Sequence, residues 1–306
     1  MRAAAAGHVQ LHFAAVEPVV SGVTTSDVTR LPAVACALLA QSRCVETRCD
    51  DGVMVWRCWG EGDPVVLLHG GSGSWTHWIR NIPTLVACSR QVWAPDLPGF
   101  GDSASPLSGG DADAVVAPLA LGLREVVGPG PHEIAAFSFG SLVAVLLAAE
   151  HPGLVARLLL VGLPVLPLHH GRGVTLPPRR TAITPENRAA AHRANLAAIM
   201  LHQAWRIDND TVALQAANVS RDRMRSRNLV TTDACAIAVR ALQCEFECVW
   251  GSEDVLYRER WPEVHTACGS SPRCARLALI PDAGHWVQYE QAEAFNQLLA
   301  TWTRRT

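Results

Sequence analysis

From residue 44 onward, short β-rich runs alternate with helical stretches, and this alternation constrains the fold more than any other feature of the chain. Four strand-like runs precede residue 165, and they span residues 64–68, 91–95, 134–137 and 157–161. Alternation of this kind is typical of a mostly parallel sheet whose strands are joined by crossover helices. Two earlier runs, 45–48 and 53–59, flank Asp50-Asp51-Gly52, a spacing that predicts a hairpin. We therefore predict an α/β fold with a mostly parallel central sheet flanked by helices.

The alternation breaks once, after Leu163. Proline, histidine and glycine dominate as far as residue 178, and Ala- and Arg-rich helical segments then run to about Leu242. Strand-like runs resume at 245–250 and 276–280, and a closing helix follows. One sheet that is interrupted by a single helical insertion explains this order.

Three regions follow from these boundaries. We predict a core at residues 44–165 and 243–306, and a helical cap inserted at residues 166–242. Residues 1–43 form an N-terminal arm of unknown role, in which Asp27 is placed to cap a helix that follows it.

The composition excludes several classes of partner and chemistry. Hydrophobic residues make up 49% of the 306 residues and charged residues 18%, which is typical of a well-packed globular protein. The formal net charge is −2, so no overall attraction to nucleic acid is expected. All 26 basic residues are arginines, so lysine-based mechanisms have no candidate residue.

The sequence also predicts a cytoplasmic protein without a membrane span. The apolar runs are shorter than the ~20 residues that a spanning helix needs. His8, Gln10 and His12 interrupt the apolar stretch that a secretory leader would require. Ten cysteines are scattered through the chain without a CxxC pair, which favours reduced thiols. Cys244 and Cys248 lack the further ligands of a tetrahedral set, so we predict no metal site.

The clearest local signal for chemistry is Ala136-Phe137-Ser138-Phe139-Gly140, which lies where a predicted strand meets a predicted helix. A nucleophile elbow turns sharply at such a junction and exposes one side chain, here Ser138. Small residues two before and two after the serine keep the turn free of clashes. Gly140 meets that requirement, whereas Ala136 replaces the usual first glycine.

A glycine-rich loop lies one crossover upstream of the elbow. His69-Gly70-Gly71-Ser72-Gly73 directly follows the strand-like run 64–68. Glycine lets a backbone N–H approach a developing negative charge closely, as an oxyanion hole requires. We expect the N–H of Gly71 to be one donor and the N–H of Phe139, at the start of a helix, to be the second.

A serine hydroxyl becomes a good nucleophile when a histidine takes its proton and an acid orients that histidine. Asp254 and His285 each follow a predicted strand, and the order Ser138, Asp254, His285 is the one found in α/β hydrolases. Glu253 is the rival acid, and we prefer Asp254.

Together these motifs resemble the α/β-hydrolase-fold serine hydrolases over residues 45 to 306. The stretch Asp96-Leu97-Pro98-Gly99-Phe100-Gly101-Asp102-Ser103 strengthens the resemblance, and in that family it is a structural turn. The resemblance implies architectural roles for Asp96 and Asp102, and catalysis by Ser138, Asp254 and His285 without a cofactor.

Within that family, Arg80-Asn81-Ile82 and Gly284-His285-Trp286 resemble segments of the meta-cleavage-product hydrolases, which cleave carbon–carbon bonds. Those enzymes usually carry Asn before the nucleophile, where this chain has Phe137. They also use a cap arginine for the substrate carboxylate, and a rough alignment places Gln215 there. Arg221, Arg223 and Arg225 lie close enough that a shift of the alignment would supply the cap arginine, but we favour the interpretation that this cluster is a solvated face.

The sequence therefore predicts a serine hydrolase that cleaves a small to medium carboxylic ester, with carbon–carbon bond hydrolysis as the alternative. Trp75, Phe137 and Trp286 are the predicted lining of an apolar substrate pocket. A cofactor-free perhydrolase and a non-catalytic binding member of the fold are less favoured. The expected partner is a small-molecule acyl substrate, and self-association as a homodimer stays open.

Overall fold

The computed structural model describes residues 31–107, 110–168, 185–224 and 226–304. Eight strands in these ranges form one sheet, and they are β1 (Arg43–Cys49), β2 (Gly52–Trp59), β3 (Asp63–Leu68), β4 (Arg90–Pro95), β5 (His132–Phe137), β6 (Val155–Val161), β7 (Glu245–Gly251) and β8 (Cys274–Ile280). The order across the sheet is β1-β2-β4-β3-β5-β6-β7-β8. β2 pairs antiparallel with both β1 and β4, and every other neighbouring pair is parallel. The predicted α/β fold with a mostly parallel sheet is confirmed.

Ten α-helices in the described ranges connect or flank these strands. They are α1 (Ala33–Leu39), α2 (Ile82–Ala87), α3 (Ala112–Gly122), α4 (Phe139–Glu150), α5 (Pro185–Asn195), α6 (Asn209–Ser220), α7 (Ala234–Ala241), α8 (Trp261–Gly269), α9 (Val287–Glu290) and α10 (Ala292–Trp302). None of these helices has the length and apolar character that crossing a bilayer requires.

Two buried apolar clusters hold the sheet to its helices, one on each face. Strand residues alternate between them: Ile134 and Ala136 of β5 belong to one cluster, and Ala135 and Phe137 belong to the other. Alternate side chains of a strand point to opposite faces, so a strand segment that is covered on both sides is apolar at successive positions, as residues 134–137 of β5 are.

The helix predicted from His77 to Ala87 is split in the structure. A single 3-10 turn spans Trp75–Trp78, and α2 begins only at Ile82. The hydroxyl of Ser74 accepts the N–H of Thr76, which starts the turn early. The indole N–H of Trp78 donates to the carbonyl of Leu68 and anchors the turn to the end of β3. Tertiary contacts of the tryptophans therefore override the local helical pattern.

Part of the predicted arm packs on the core. Leu31, Ala35 and Leu38, in and before α1, are buried with the second cluster. The indole N–H of Trp59 donates to the carbonyl of Leu38 at 2.7 Å. Asp27, the predicted helix cap, lies outside the described residues, and Pro32 occupies the N-cap of α1.

The predicted insertion contains α5, α6 and α7. Its last helix, α7, packs against α4, and Cys235, Ala238 and Val239 belong to the same buried cluster as α4. The division of the chain into a core and a cap stays a prediction.

Candidate active site

Ser138 occupies a strained turn between β5 and α4. Its backbone has φ 50° and ψ −112°, a left-handed conformation that L residues adopt rarely and at a cost of roughly 1–3 kcal/mol. The N–H of Ser138 donates to the carbonyl of Val161 at 2.7 Å and holds the turn. A β-carbon on Gly140 would lie 2.4 Å from the carbonyl oxygen of His69, so this place requires glycine. Ala136, at the other small position, is fully buried.

A hydrogen-bonded chain links Ser138 to two of the predicted partners. His285 Nε2 lies 2.9 Å from Ser138 Oγ, and His285 Nδ1 lies 2.7 Å from Asp254 Oδ2. The other oxygen of Asp254 accepts the N–H of Leu256 at 3.0 Å, which fixes the carboxylate. Asp254 is fully buried and His285 is 4% exposed. The arrangement has the geometry for passing a proton from a serine hydroxyl to an oriented imidazole.

The rival acid, Glu253, points elsewhere. Its carboxylate accepts a hydrogen bond from the hydroxyl of its neighbour Ser252 at 3.2 Å. Its backbone N–H donates to the carbonyl of Ala283. Asp254 therefore provides the carboxylate that contacts His285 in this structure.

The glycine-rich loop after β3 lies against the start of α4. A β-carbon on Gly71 would be 3.7 Å from the β-carbon of Phe139, and one on Gly70 would be 3.3 Å from that of Ser138. Phe139 is the first residue of α4, so its N–H is among the helix N–H groups that lack an intrahelical acceptor. The two predicted donors thus lie on neighbouring segments beside Ser138.

Two buried histidines hold this loop: His69 is its first residue, and His77 accepts the N–H of Gly70. The sequence alone gives no signal for these contacts. His69 and His77 are both at most 1% exposed. Burial lowers the pKa of His69 to about 4 and lowers the pKa of His77 well below its ordinary range. Both imidazoles are therefore neutral at neutral pH.

The loop is also bound from the other side by an ion pair. Ser72 has a positive φ of 49°, and its hydroxyl donates to Asp222 at 2.5 Å. Arg227 pairs with Asp222 and donates to the hydroxyl of Ser72 at 3.2 Å. Its guanidinium lies 3.3 Å from the place of a β-carbon on Gly71. A positive charge thus stands beside the loop, with its carboxylate partner attached.

The arginine cluster is not the solvated face that we expected. The side chain of Arg221 is 12% exposed and pairs with Asp102, which also pairs with Arg57. Arg223 is exposed, yet its guanidinium donates to the carbonyl of Gly101 at 3.0 Å. Arg225 lies outside the described residues. The segment docks on the Asp96–Ser103 turn because that turn presents a carboxylate and free carbonyl groups.

That turn is held by its own aspartates. Asp96 is fully buried and accepts the N–H groups of Trp75 and Asp102 at 3.0 and 2.9 Å. Burial raises the pKa of Asp96. Neither Asp96 nor Asp102 contacts Ser138 or His285 in the described hydrogen bonds.

Gln215 lies on α6 and is buried. It is the residue near which the rough alignment placed a carboxylate-binding arginine.

The three residues predicted to line the pocket are buried in the structure, and their role in a pocket stays a prediction. Trp75, Phe137 and Trp286 are each at most 1% exposed, so none opens on a solvent-filled cavity. The ring of Phe137 packs 5.1 Å from that of His285, and Trp286 stacks on Tyr289 at 4.0 Å. Burial of large aromatic side chains removes much apolar surface from water and so favours their packing in the core.

The segment that carries His285 is clamped to the base of the predicted cap. The buried carboxylate of Glu290 accepts the N–H groups of Gly284, His202 and Gln203 at 2.6, 3.0 and 2.6 Å. The N–H of Trp286 donates to the carbonyl of Met200, also in the predicted cap, at 2.8 Å.

Among the described residues, no group of three or more His, Cys, Asp or Glu side chains is arranged to hold a metal ion.

The chain is similar to several known proteins. The chain is 29% identical over 257 residues to the dihydrolipoyllysine-residue acetyltransferase component of the acetoin cleaving system of Pseudomonas putida, covering 80% of this chain and 64% of that protein, less than two thirds of its length. It is 26% identical over 258 residues to the 2-hydroxy-6-oxo-6-phenylhexa-2,4-dienoate hydrolase of Burkholderia cepacia, covering 78% and 87%. In structure it resembles a protein described as an aryl esterase from Burkholderia cenocepacia, with a TM-score of 0.71, 23% identity, and coverage of 86% and 98%.

That structural likeness shows the fold, and a family model shows the family. The model for the alpha/beta hydrolase fold matches residues 63–238, which is more than half of the chain and includes the glycine-rich loop and Ser138. The eight-stranded sheet and the turn at Ser138 agree with that match. This chain therefore belongs to the alpha/beta hydrolase fold family.

Proposed function

We propose that the protein is a serine hydrolase that cleaves a small to medium carboxylic ester through an acyl-enzyme. The observation that carries the proposal is the hydrogen-bonded chain from Ser138 through His285 to Asp254. In such an arrangement the serine is the nucleophile, the imidazole is the general base and the carboxylate orients the imidazole.

In the proposed first step, Ser138 Oγ attacks the ester carbonyl carbon while its proton passes to His285 Nε2, 2.9 Å away. Asp254 accepts the Nδ1–H of the same ring and stabilises the imidazolium that forms. His285 then gives the proton to the departing alcohol. Water repeats the sequence on the acyl-enzyme, so the proposed reaction uses only side chains, backbone groups and water.

The N–H groups of Gly71 and Phe139 are the proposed donors to the oxyanion. Support comes from the short distance between the two segments, 3.7 Å from the Gly71 β-carbon position to the Phe139 β-carbon. The first turn of α4 adds a helix dipole that favours negative charge at this end. Loss of one such donor costs on the order of 10²–10³ in kcat.

Two observations favour an ester over a substrate that must be held by its carboxylate. The residue before Ser138 is the buried, apolar Phe137. Arg227, the guanidinium beside the glycine-rich loop, already pairs with Asp222. An arginine that is paired in this way offers little net charge to a carboxylate substrate.

Carbon–carbon bond hydrolysis is the second candidate. It is favoured by the 26% identity to a dienoate hydrolase over 78% of this chain. Both candidates use the same nucleophile and base, so the two differ in the substrate that the site accepts rather than in the catalytic residues.

The proposed partner is a small-molecule acyl compound, and the proposed compartment is the cytoplasm. The ten cysteines all lie in the described ranges and are thiols rather than disulfides there, and thiols are typical of reducing compartments. A homodimer stays a proposal that a sedimentation measurement would decide.

The test is hydrolysis of a short and a medium p-nitrophenyl ester by wild type, Ser138→Ala and the control Ser270→Ala, which removes an exposed hydroxyl remote from the site. We expect Ser138→Ala to lower kcat by on the order of 10⁶-fold and Ser270→Ala to leave it unchanged. A meta-cleavage dienoate is assayed in parallel. Ester turnover that survives in folded Ser138→Ala would refute the proposal, and dienoate turnover with feeble ester turnover would favour the second candidate.

A further inference from the structure

We propose that His77 is a positioning residue of this site, which acts with His69 to fix both peptide planes of Gly70 and so aims the N–H of Gly71. The proposal rests on the proposed function, since it assigns a purpose to the orientation of that N–H. No contact of His77 with substrate is involved.

The hydrogen bonds around Gly70 define the tautomers of both histidines. The N–H of Gly70 donates to His77 Nδ1 at 3.1 Å, so that nitrogen carries no proton. The N–H of Leu97 donates to His69 Nε2 at 2.8 Å, so the proton of His69 is on Nδ1. His69 Nδ1 therefore donates to the carbonyl of Gly70 at 2.8 Å.

These two bonds act on consecutive peptide groups. The N–H of Gly70 belongs to the peptide before it, and the carbonyl of Gly70 shares a plane with the N–H of Gly71. In a trans peptide the carbonyl and the N–H point in opposite directions. Holding the carbonyl of Gly70 on His69 therefore turns the N–H of Gly71 the other way, and His77 prevents the preceding peptide from rotating.

The surroundings of His77 connect this loop to the other two loops of the site. Its ring lies 5.3 Å from Phe137, which precedes the nucleophile, and 5.0 Å from Trp286, which follows the catalytic histidine. The indole N–H of Trp286 donates to the carbonyl of His77 at 3.0 Å. A β-carbon on Gly73 would lie 2.3 Å from the imidazole, so the loop wraps closely around the ring.

Packing alone does not explain why position 77 is a histidine rather than an apolar residue. His77 is 1% exposed, and its Nε2 has no hydrogen-bond partner within the described part of the chain. An unpaired buried N–H is unfavourable, and an apolar side chain would avoid it. The ring is retained for its other nitrogen, the acceptor that Gly70 uses. Burial lowers the pKa of His77, which keeps that nitrogen free to accept.

The test compares His77→Asn with His77→Leu. The amide oxygen of asparagine stands near the place of Nδ1 and can accept the Gly70 N–H, whereas leucine fills the space without an acceptor. We expect His77→Leu to lower kcat on the p-nitrophenyl ester by roughly 10- to 100-fold, less than complete loss of an oxyanion donor, with little change in KM. His77→Asn should recover most of that loss. His132→Leu, a buried histidine at the opposite end of β5, is the control and should keep kcat.

A second readout separates positioning from simple support of the fold. A boronic acid that forms a tetrahedral anion on Ser138 should lose affinity in His77→Leu by the same factor as kcat, because both depend on the oxyanion donors. Values of kcat that agree within about threefold among wild type, His77→Asn and His77→Leu would overturn the proposal. Equal losses of kcat in the two variants, with a matching rise in KM, would also overturn it.

The third readout does not depend on turnover. Side-chain nitrogen NMR of the wild-type protein should show His77 Nδ1 without a proton and Nε2 with one. A protonated Nδ1 would overturn the proposal even if His77→Leu fails to fold. A wild-type protein that hydrolyses no ester but shows the expected nitrogen shifts would refute the proposed function and leave the clamp on Gly70 standing.

Discussion

Acidification should destabilise this protein in a way that can be traced to His69. The imidazole is fully buried, and burial lowers its pKa from an ordinary value of 6.5 to about 4. The unfolded chain therefore takes up a proton as the pH falls below about 6.5, whereas the folded protein does not. The contribution of His69 to the free energy of unfolding is fully present above that pH, and it is lost as the pH falls toward the folded pKa of about 4.

The size of the effect follows from the two pKa values. Between about pH 6.5 and pH 5, each unit of acidification lowers the free energy of unfolding by roughly 1.4 kcal/mol through His69. The total loss from this residue over that range is about 2 kcal/mol. His77 contributes a loss of the same sign, because burial lowers its pKa as well. The free energy of unfolding should therefore fall steadily across this range.

The assay is urea unfolding at about pH 7 and about pH 5, followed by tryptophan fluorescence and far-UV circular dichroism, whose transitions must coincide. His69→Gln removes the titrating ring, and it should lower stability overall while losing about 2 kcal/mol of its pH dependence. His265→Gln removes an exposed histidine of α8 and controls for the loss of one histidine. Equal pH dependence in wild type and His69→Gln would refute the reasoning, since the difference between them cancels all other titrating groups.

Two further predictions test the turn and the acid. Asp254→Asn should lower kcat by on the order of 10⁴-fold, because the imidazole of His285 loses the carboxylate that orients its tautomer. Glu253→Gln should leave ester kinetics near wild type, because the Glu253 side chain contacts only Ser252 in the described side-chain bonds. The opposite ranking of the two variants would reverse the assignment of the acid. Gly140→Ala places a β-carbon 2.4 Å from a backbone carbonyl and should lower the melting temperature, by a free-energy cost of roughly 1–3 kcal/mol. Gly153→Ala, whose β-carbon would have nothing within 4 Å, should change the melting temperature little. Similar melting temperatures for those two variants would contradict the clash.

The strand pattern and the turns were readable from local sequence because each depends on nearby residues. The hairpin at Asp50-Asp51-Gly52 appears where predicted, and Asp50 has the positive φ that a tight turn needs. The run predicted at 134–137 corresponds to β5, which begins two residues earlier. The helix predicted from His77 begins only at Ile82, because the indole N–H of Trp78 donates to the distant carbonyl of Leu68, a contact that no periodicity reports.

The lining of a substrate pocket by Trp75, Phe137 and Trp286 stays a prediction. These apolar residues lie beside the catalytic loops in the sequence. Sequence proximity cannot say whether an aromatic ring faces a cleft or the core, and here the rings of Phe137 and Trp286 pack on that of His77. The residues that hold the loop from the cap side, Asp222 and Arg227, lacked any signal of that role in the sequence.

The sequence by itself determined the fold class and the order of the candidate catalytic residues. Ser138, Asp254 and His285 each follow a strand, and the carboxyl ends of parallel strands meet at one edge of a sheet. Only the tertiary structure decided which acid faces the imidazole, and that the glycine-rich loop is held by buried histidines and by a side chain 150 positions away. The physical reason is range: strand and turn preferences act over a few residues, whereas a hydrogen bond joins atoms wherever the folded chain brings them together.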